Sequence, residues 1–224
     1  MVKDNGKGLL VVVSGPSGTG KGTICKRVIN EMNDIKLSIS MTSREPRGTE
    51  VNGVEYYFVS KEEFENRIKN NEFLEYAIVH NNQYYGTPKS KIDDDLNNGT
   101  SVILEIDIQG ALKVKDIIKD AIFIFIMPPS MKILKQRLID RNTESIEKVM
   151  ERFKTAYKEL NEYKKYNYVV VNDDLDEAVE KVKAIILAES SRVDRIEDIY
   201  LDNPEEEIHE TLMDKDFINK DIEI

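Results

Sequence analysis

Hydrophobic runs and helical stretches alternate along most of this chain, and this alternation sets the predicted architecture. Apolar runs with the length of a buried strand occupy residues 9–13, 101–106, 121–127 and 168–171. Helical patterns follow three of these runs and end near residues 32, 119 and 188. Strands that alternate with helices in this way predict an α/β domain with a largely parallel sheet flanked by helices.

Two polar stretches do not fit the alternation. Residues 38–87 are rich in tyrosine and asparagine, and they hold strand-like segments at 55–59 and Phe73–Val79 around one helix at Lys61–Lys69. This pattern predicts a small inserted α+β unit. Residues 131–163 are charged and periodic, and they predict a pair of helices.

The composition excludes several classes of protein. With 224 residues, of which 40% are hydrophobic, the chain is long enough for one domain of ordinary size with smaller inserted units. Its longest apolar run, residues 121–127, is too short to cross a bilayer, and the N-terminus has no signal-peptide pattern. The single cysteine, Cys25, cannot form an internal disulfide, and the two histidines have no metal-ligand spacing. These features predict a cytoplasmic protein that does not bind a membrane.

The net charge of −10 is concentrated near the C-terminus. Residues 194–224 contain twelve acidic and three basic residues, so the rest of the chain is close to neutral. Such an acidic extension argues against nucleic acid as the main partner. The extension itself leaves three alternatives open: a solvated disordered segment, a docking segment for a basic partner, or a helix that packs on a neighbour. The oligomeric state is also open.

A glycine-rich segment between the first strand and the first helix has the pattern of a phosphate-binding loop. Its glycines let the backbone curl around one anion, and the following helix contributes its positive end. Lys21 supplies a point charge for the β- and γ-phosphates of a nucleotide. The residues predicted to bind ATP here are Gly15, Ser17, Gly18, Thr19, Gly20, Lys21, Gly22 and Thr23.

One position departs from the usual loop, in which a Ser or Thr after the lysine ligates Mg²⁺. Here Gly22 follows Lys21, and Thr23 comes next. The prediction is therefore that Mg²⁺ is held mainly by phosphates and water, with Thr23 or a carboxylate such as Asp107 in an outer position. The Lys-Gly-Thr sequence favours a kinase of small nucleotides over a motor or a GTPase.

The motifs that follow the loop are more specific. They are S-x-T-[ST]-R-x-P-R at 40–47, G-x-x-Y-x-F at 53–58, N-E-F-L-E at 71–75, Y-Y-G-T at 84–87, I-L-E-I-D-I-Q-G at 103–110 and V-N-D-D-L-D at 171–176. In this order and spacing the chain resembles the guanylate kinases, from about residue 9 to residue 188. One local departure lies at residues 48–50, where the family usually has its glycine directly before the glutamate.

The resemblance implies ATP-dependent phosphorylation of GMP, and also of dGMP, in purine nucleotide metabolism. ATP and GMP are then the small-molecule partners. It further implies one domain at 1–193, with a GMP-binding insertion at 38–87, a helical lid at 131–163 and an acidic extension at 194–224. The P-loop core would comprise residues 1–37, 88–130 and 164–193.

The predicted acceptor site combines cations, hydroxyls and a carboxylate. Arg44 and Arg47 offer planar guanidinium forks to the GMP phosphate, and nearby tyrosines add phenolic hydrogen bonds. Guanine presents two adjacent donors, N1–H and N2–H₂, and the resemblance places Glu75 where one carboxylate accepts both. The complete predicted GMP-binding set is Ser40, Arg44, Arg47, Tyr56, Glu75, Tyr85, Gly86, Thr87, Glu105 and Asp107.

Phosphoryl transfer needs alignment and charge neutralisation more than it needs a general base. The resemblance places Arg141 and Arg152 in the lid, over the transferred group, and Arg137 beside them on the ATP side. The predicted catalytic residues are Lys21, Arg47, Arg141 and Arg152.

Polar residues at two strand ends complete the predicted site. Glu105 and Asp107 end one strand on the same face, and the expectation is that Glu105 contacts the acceptor while Asp107 contacts the metal's waters or the base. Asn172, at the end of another strand, is expected to contact adenine or the phosphate loop.

Two rival functions remain from the sequence. Guanylate-kinase-like domains also occur as non-catalytic peptide-binding modules, but those typically carry damaged nucleotide loops, whereas residues 15–21 are intact here. A kinase of the same superfamily that acts on another monophosphate or on a phosphosugar is the second rival, and Glu75 with Ser40 favours guanine against it.

Overall fold

The computed structural model describes residues 2–4, 6–79, 83–140 and 146–199, and it contains two compact units. The smaller unit comprises residues 1–6 and 190–224. In its described part, strand β1 (Val2–Asp4) pairs antiparallel with strand β11 (Ile196–Ile199). All predicted site residues have numbers within the range of the larger unit, Lys7–Glu189.

The larger unit alternates strands and helices as the sequence predicted. Its strands are β2 (Leu10–Ser14), β3 (Ile35–Leu37), β4 (Met41–Thr42), β5 (Tyr57–Phe58), β6 (Phe73–Val79), β7 (Gln83–Pro88), β8 (Ser101–Glu105), β9 (Ile122–Met127) and β10 (Tyr168–Val171). Its helices are α1 (Lys21–Glu31), α2 (Lys61–Lys69), α3 (Lys89–Asn97), α4 (Ile108–Ile117), α5 (Met131–Asp140), α6 (Ile146–Glu159) and α7 (Leu175–Ser190). A 3-10 helix, Leu160–Lys165, follows α6.

A five-stranded parallel sheet forms the core, in the order β10-β9-β2-β8-β3. Successive residues of β2 point to opposite faces, and both faces are covered: Val11 and Val13 pack with α1 and α7, whereas Leu10 and Val12 pack with α3 and α4. Burial on both sides explains why the central strands read as continuous apolar runs. The predicted α/β fold with a parallel sheet is confirmed. Because the strands are parallel, their carboxyl ends meet at one edge, where polar residues can converge.

Strands β4 to β7 form a second, four-stranded sheet in the order β5-β4-β7-β6. The long strands β6 and β7 pair antiparallel, and β4 pairs with both β7 and β5. Helix α2 covers this sheet through Phe64, which stacks on Phe73 at 4.3 Å and on Tyr84 at 5.1 Å between ring centroids. Ser60 caps α2 by accepting a hydrogen bond from the Glu63 N–H. These residues have the small α+β arrangement that the sequence predicted.

Helices α5 and α6 form the charged pair that was predicted at 131–163. Leu134 and Leu138 of α5 pack against Ala156 of α6 and form a small apolar cluster of their own. Arg141, predicted as a catalytic residue of this helix pair, lies outside the described residues. Among the helices described, none is long and apolar enough to span a membrane.

Several elements were not predicted. Strands β3, β4 and β7 and helix α3 were not predicted, and the strand expected at 55–59 is only the two residues of β5. The three short strands are defined by their pairing rather than by apolar runs, and α3 buries only Ile92 fully. Within the acidic extension, Ile196–Ile199 forms a β-strand, which none of the three alternatives for that segment had included.

Candidate active site

The phosphate loop follows β2 and ends where α1 begins. Gly18 and Gly20 have φ values of 88° and 90°, in the left-handed region that side chains disfavour, and Gly20 is the residue that precedes the first turn of α1. The Lys21 ammonium donates hydrogen bonds to the carbonyls of Gly15, at 2.7 Å, and Pro16, at 3.0 Å. The curled backbone and the lysine of a phosphate site are therefore in place.

The hydroxyls of the loop point in different directions. Thr19 is fully buried and donates its hydroxyl hydrogen to the Pro16 carbonyl at 2.9 Å, so this side chain holds the loop together. Thr23 is exposed in the first turn of α1, and Ser17 is half-buried. Of these three, Thr23 and Ser17 remain accessible to a ligand.

Asn172 supports the loop from the neighbouring strand end. Its side-chain amide, 5% exposed, donates to the Thr19 carbonyl at 2.8 Å, and its backbone N–H donates to Met127. A side chain on Gly20 would collide with this amide, so the loop and Asn172 fit closely. Of the two contacts expected for Asn172, adenine or the loop, the structure shows the one to the loop.

Replacing Asn172 with alanine should lower the free energy of unfolding by about 1–2 kcal/mol, because the buried Thr19 carbonyl loses its donor. Aspartate has the same shape but no N–H donor, so Asn172→Asp should be at least as destabilising. Urea unfolding measures both effects. Val169→Ala, at an exposed position on the strand that precedes Asn172, is the control and should stay within about 0.5 kcal/mol of the parent. An Asn172→Asp variant as stable as the parent would contradict this role.

A cavity of about 370 Å³ opens beside the carboxyl end of the parallel sheet, a size typical of small-molecule sites. Nine predicted site residues contribute to its lining: Ser40, Arg47, Tyr56, Glu75, Tyr85, Gly86, Glu105, Asp107 and Arg152. Three further lining residues, Ala77, Gln83 and Ile106, were not predicted. Alternation along the strands could have suggested Ala77 and Gln83, since Ala77 lies two residues after Glu75 and Gln83 two before Tyr85.

Glu75 provides a buried carboxylate at one end of the cavity. It lies opposite Thr87 in the β6–β7 ladder, and the Thr87 hydroxyl donates to its Oε1 at 2.8 Å. Burial raises the pKa of Glu75; the hydrogen bond from Thr87 opposes this shift, and the negative charge of Asp107 adds to it. Such a carboxylate is suited to a ligand that brings two adjacent hydrogen-bond donors.

Arg44 does not line the cavity, and its guanidinium differs from the expectation of a fork open to phosphate. Nη1 and Nη2 donate to both carboxylate oxygens of Glu50, at 2.6 and 2.7 Å. Its Nε donates to the Tyr85 hydroxyl at 3.0 Å, and this hydroxyl belongs to a cavity residue. The hydrogen bonds from Arg44, followed by that from the Arg47 N–H, lower the pKa of Glu50 to about 2. Arg44 thus fixes Tyr85, while the exposed Arg47 lines the cavity itself.

The two acids at the end of β8 are placed differently from each other. Glu105 is the last residue of β8, but Asp107 lies beyond the strand and caps α4, where its Oδ1 accepts from the Gly110 N–H at 2.7 Å. The expectation that both acids end one strand was wrong for Asp107, because the helix begins directly after it. Both residues still line the cavity.

The helix pair contributes two predicted arginines to the described part of the site. Arg152 lines the cavity. Arg137 has a buried Nη1 that forms no hydrogen bond within the described part of the chain. A buried guanidinium nitrogen without a partner is costly, so an anionic ligand would stabilise it.

Glu159 is a further charged residue of this region that the sequence did not single out. It ends α6, seven residues after Arg152 and therefore on the same helical face. Burial raises its pKa; the positive charge of Lys21 opposes the shift, and Asp107 adds to it. The sequence gave no motif at this position, and only the electrostatic influence of Lys21 and Asp107 connects Glu159 with the site.

A phosphate loop at the carboxyl edge of a parallel sheet, beside an inserted sheet and a helix pair, defines a P-loop nucleotide-binding protein of the small-kinase type. The family model described as guanylate kinase matches residues 7–189. The chain belongs to the guanylate kinase family of nucleoside-monophosphate kinases.

Comparison with individual proteins supports this membership. A guanylate kinase of Clostridium tetani is 60% identical over 208 residues, which cover 93% of this chain and 99% of that protein. A guanylate kinase of Clostridium perfringens strain 13 is 57% identical over 212 residues, covering 95% and 97%. The crystal structure of guanylate kinase from Anaplasma phagocytophilum is similar with a TM-score of 0.72 at 33% identity, covering 88% of this chain and 93% of that one. The resemblance predicted from the motifs is thus confirmed.

Proposed function

We propose that the enzyme transfers the γ-phosphoryl group of ATP to GMP, and also to dGMP, in purine nucleotide metabolism. The observation that carries this proposal is the cavity of about 370 Å³, which brings a buried carboxylate, two phenols and two arginines together at the edge that carries the phosphate loop. A location in the cytoplasm, the absence of nucleic-acid and membrane partners, and the lid role of residues 131–163 stay predictions.

On the donor side, the loop N–H groups and Lys21 would bind the β- and γ-phosphates of ATP. Asn172 supports this role through its hydrogen bond to Thr19, which keeps the loop curled. Arg137, whose buried Nη1 has no hydrogen-bond partner among the described residues, would contribute a further cation to the phosphates. Arg152 and Arg141 would neutralise charge on the transferred group.

On the acceptor side, the Glu75 carboxylate would accept hydrogen bonds from the N1–H and N2–H₂ of guanine. It would keep the hydrogen bond that its Oε1 accepts from the Thr87 hydroxyl. Ser40 and Gly86, at the same cavity, would complete the base contacts. Arg47 and the hydroxyls of Tyr56 and Tyr85 would bind the GMP phosphate, with Tyr85 held by Arg44.

When bound with ATP, Mg²⁺ would supply positive charge that neutralises the nucleotide phosphates. The chain offers oxygen ligands at this place, because the Glu105 carboxylate lies against residue 22 in the first turn of α1. Among the described residues no group of three or more His, Cys, Asp or Glu side chains could hold a metal ion. Mg²⁺ is usually bound by one or two carboxylates together with substrate phosphates and water.

Turnover with ATP and each of GMP, dGMP, AMP and UMP tests the proposal. We expect kcat/KM for GMP to exceed that for AMP by about 10³-fold or more, because adenine leaves the buried Glu75 without its two donors. Preference for another acceptor would favour the rival kinase. No turnover with any acceptor, together with tight peptide binding, would favour the scaffold module.

A further inference from the structure

A second cavity, of about 240 Å³, lies where the inserted sheet joins the core, and we call it the junction cavity. Strands β3 and β8 and helix α3 line it on the core side, and Tyr57 of β5 and Pro88 of β7 line it on the side of the inserted sheet. Among the described residues, none lines both this cavity and the one beside the phosphate loop. The proposed phosphoryl transfer therefore gives the junction cavity no role.

Two lysines bring positive charge to the junction cavity. The Lys36 ammonium pairs with the Asp95 carboxylate, 2.7 Å away, so these two charges balance. The Lys91 ammonium instead donates a hydrogen bond to the phenolic oxygen of Tyr57 and lies 4.0 Å from the centre of that ring. Within the described part of the chain, Lys91 forms no ion pair with a carboxylate. A cation whose partner is a phenol favours the approach of an anionic ligand.

Apolar side chains form much of the remaining lining. Leu37, Ile92 and Val102 come from three different elements of the core. The cavity is smaller than most sites for drug-sized ligands, so it suits a compact molecule. One unbalanced lysine charge matches a monoanion, whereas a phosphate dianion would be repelled by the nearby charge of Asp95. The lining thus has the chemistry to bind a small apolar carboxylate.

The junction cavity and the cavity beside the phosphate loop share two segments of chain as walls. Ile39 and Tyr57 line the junction cavity, while their direct neighbours Ser40 and Tyr56 line the other one. The Tyr57 N–H donates to the Ser40 carbonyl at 2.9 Å, which ties the two segments together. A shift of these segments therefore changes the width of both cavities.

We propose that the junction cavity binds a small apolar carboxylate and that its occupancy raises the affinity for GMP. A ligand that holds the walls of the junction cavity apart displaces the shared segments toward the other cavity and narrows it around GMP. Such coupling is reciprocal, so GMP should strengthen binding of the carboxylate by the same factor. The coupling rests on the proposed function, because it takes GMP to bind beside the phosphate loop, whereas binding of the carboxylate does not.

Titration of the full chain with benzoate, followed by NMR of the methyl groups of Leu37, Ile39 and Val102, tests the binding. We expect saturable shifts of these signals. Benzamide has the same body without the charge, and acetate has the charge without the body. Each should bind about tenfold more weakly than benzoate, because each lacks one feature that the lining recognises. Inorganic phosphate that bound here more tightly than benzoate would overturn the assignment to a carboxylate.

A pair of variants on α3 tests the role of the charge. Lys91→Met keeps the length of the side chain and removes its ammonium, and it should weaken benzoate binding by about tenfold. Lys91 is exposed, so the fold should tolerate the change. Lys89→Met, also exposed and outside the cavity lining, is the matched control and should bind benzoate as the parent does. Parent-like binding in Lys91→Met, or the absence of saturable shifts in the parent, would overturn the site.

Calorimetry of GMP binding, with and without saturating benzoate, tests the coupling. The dissociation constant for GMP should fall by about fivefold in the parent, at the lower end of typical couplings. At the same benzoate concentration it should fall much less in Lys91→Met. An unchanged GMP affinity would overturn the coupling, and a weaker one would show that benzoate competes at the GMP site instead. A parent enzyme that does not bind GMP at all would refute the proposed function and leave the benzoate titration as an independent test of the site.

Discussion

Lys21→Met should lower kcat by about 10²–10³-fold, the range expected when one fixed charge that stabilises a developing anion is removed. Methionine has nearly the length of lysine but neither its charge nor its N–H donors. The change therefore removes both the attraction for the γ-phosphate and the hydrogen bonds to the carbonyls of Gly15 and Pro16. Steady-state kinetics at saturating ATP and GMP measures the effect.

A matched control for this change is available on the same helix. Lys26 lies on the exposed side of α1, and Lys26→Met should leave kcat within about twofold of the parent. Lys21→Arg should not restore activity, because a planar guanidinium is larger than the compact ammonium that the loop encloses. If Lys21→Met kept more than about a tenth of the parent kcat, the lysine would not have the role that the loop geometry suggests.

The phosphate loop could be predicted from sequence because its requirements are local. Glycines, lysine, a preceding strand and a following helix all lie within about two dozen residues, and each follows from backbone geometry or charge. The central strands were predicted for a related reason, since burial on both faces gives apolar runs such as 122–127. The short strands β4 and β5 carry no such signal, because two residues show no periodicity and depend on their neighbours in the sheet.

The roles of individual polar residues depend on contacts that the sequence does not show. Arg44 faces Glu50 and Tyr85, so which of its donors remain for a ligand is decided by the turn at 47–50 and by the pairing of β4 with β7. The charge of Lys21 opposes the burial that raises the pKa of Glu159, an influence between residues that are 138 positions apart in sequence. The types of residue that the chemistry needs can be predicted from sequence, whereas the contacts of each individual side chain depend on the folded geometry.

The buried position of Glu75 leads to a second large effect. Glu75→Gln should lower kcat/KM for GMP by about 10²-fold, because a hydrogen bond to a charged group contributes about 1.5–3 kcal/mol and the new NH₂ opposes a guanine donor. Turnover of AMP should hardly change, so the discrimination between GMP and AMP should shrink by nearly the same factor. For inosine monophosphate, which lacks N2–H₂, kcat/KM should fall less in this variant than it does for GMP.

Thermal stability is the second readout for Glu75→Gln, and it should stay equal or rise while the activity with GMP falls. Burial raises the pKa of Glu75 in the folded state, so the ionised carboxylate opposes folding above its ordinary pKa, and this cost disappears as the group is protonated at lower pH. Neutral glutamine avoids the cost, and at pH 8 the variant should melt at or above the parent temperature. Glu72→Gln, at an exposed pair with Arg67, is the control and should leave GMP discrimination unchanged. A Glu75→Gln variant that lost both stability and activity would indicate a damaged fold. If Glu75 binds guanine, the variant should instead show weaker selectivity for GMP together with a stability equal to or greater than that of the parent.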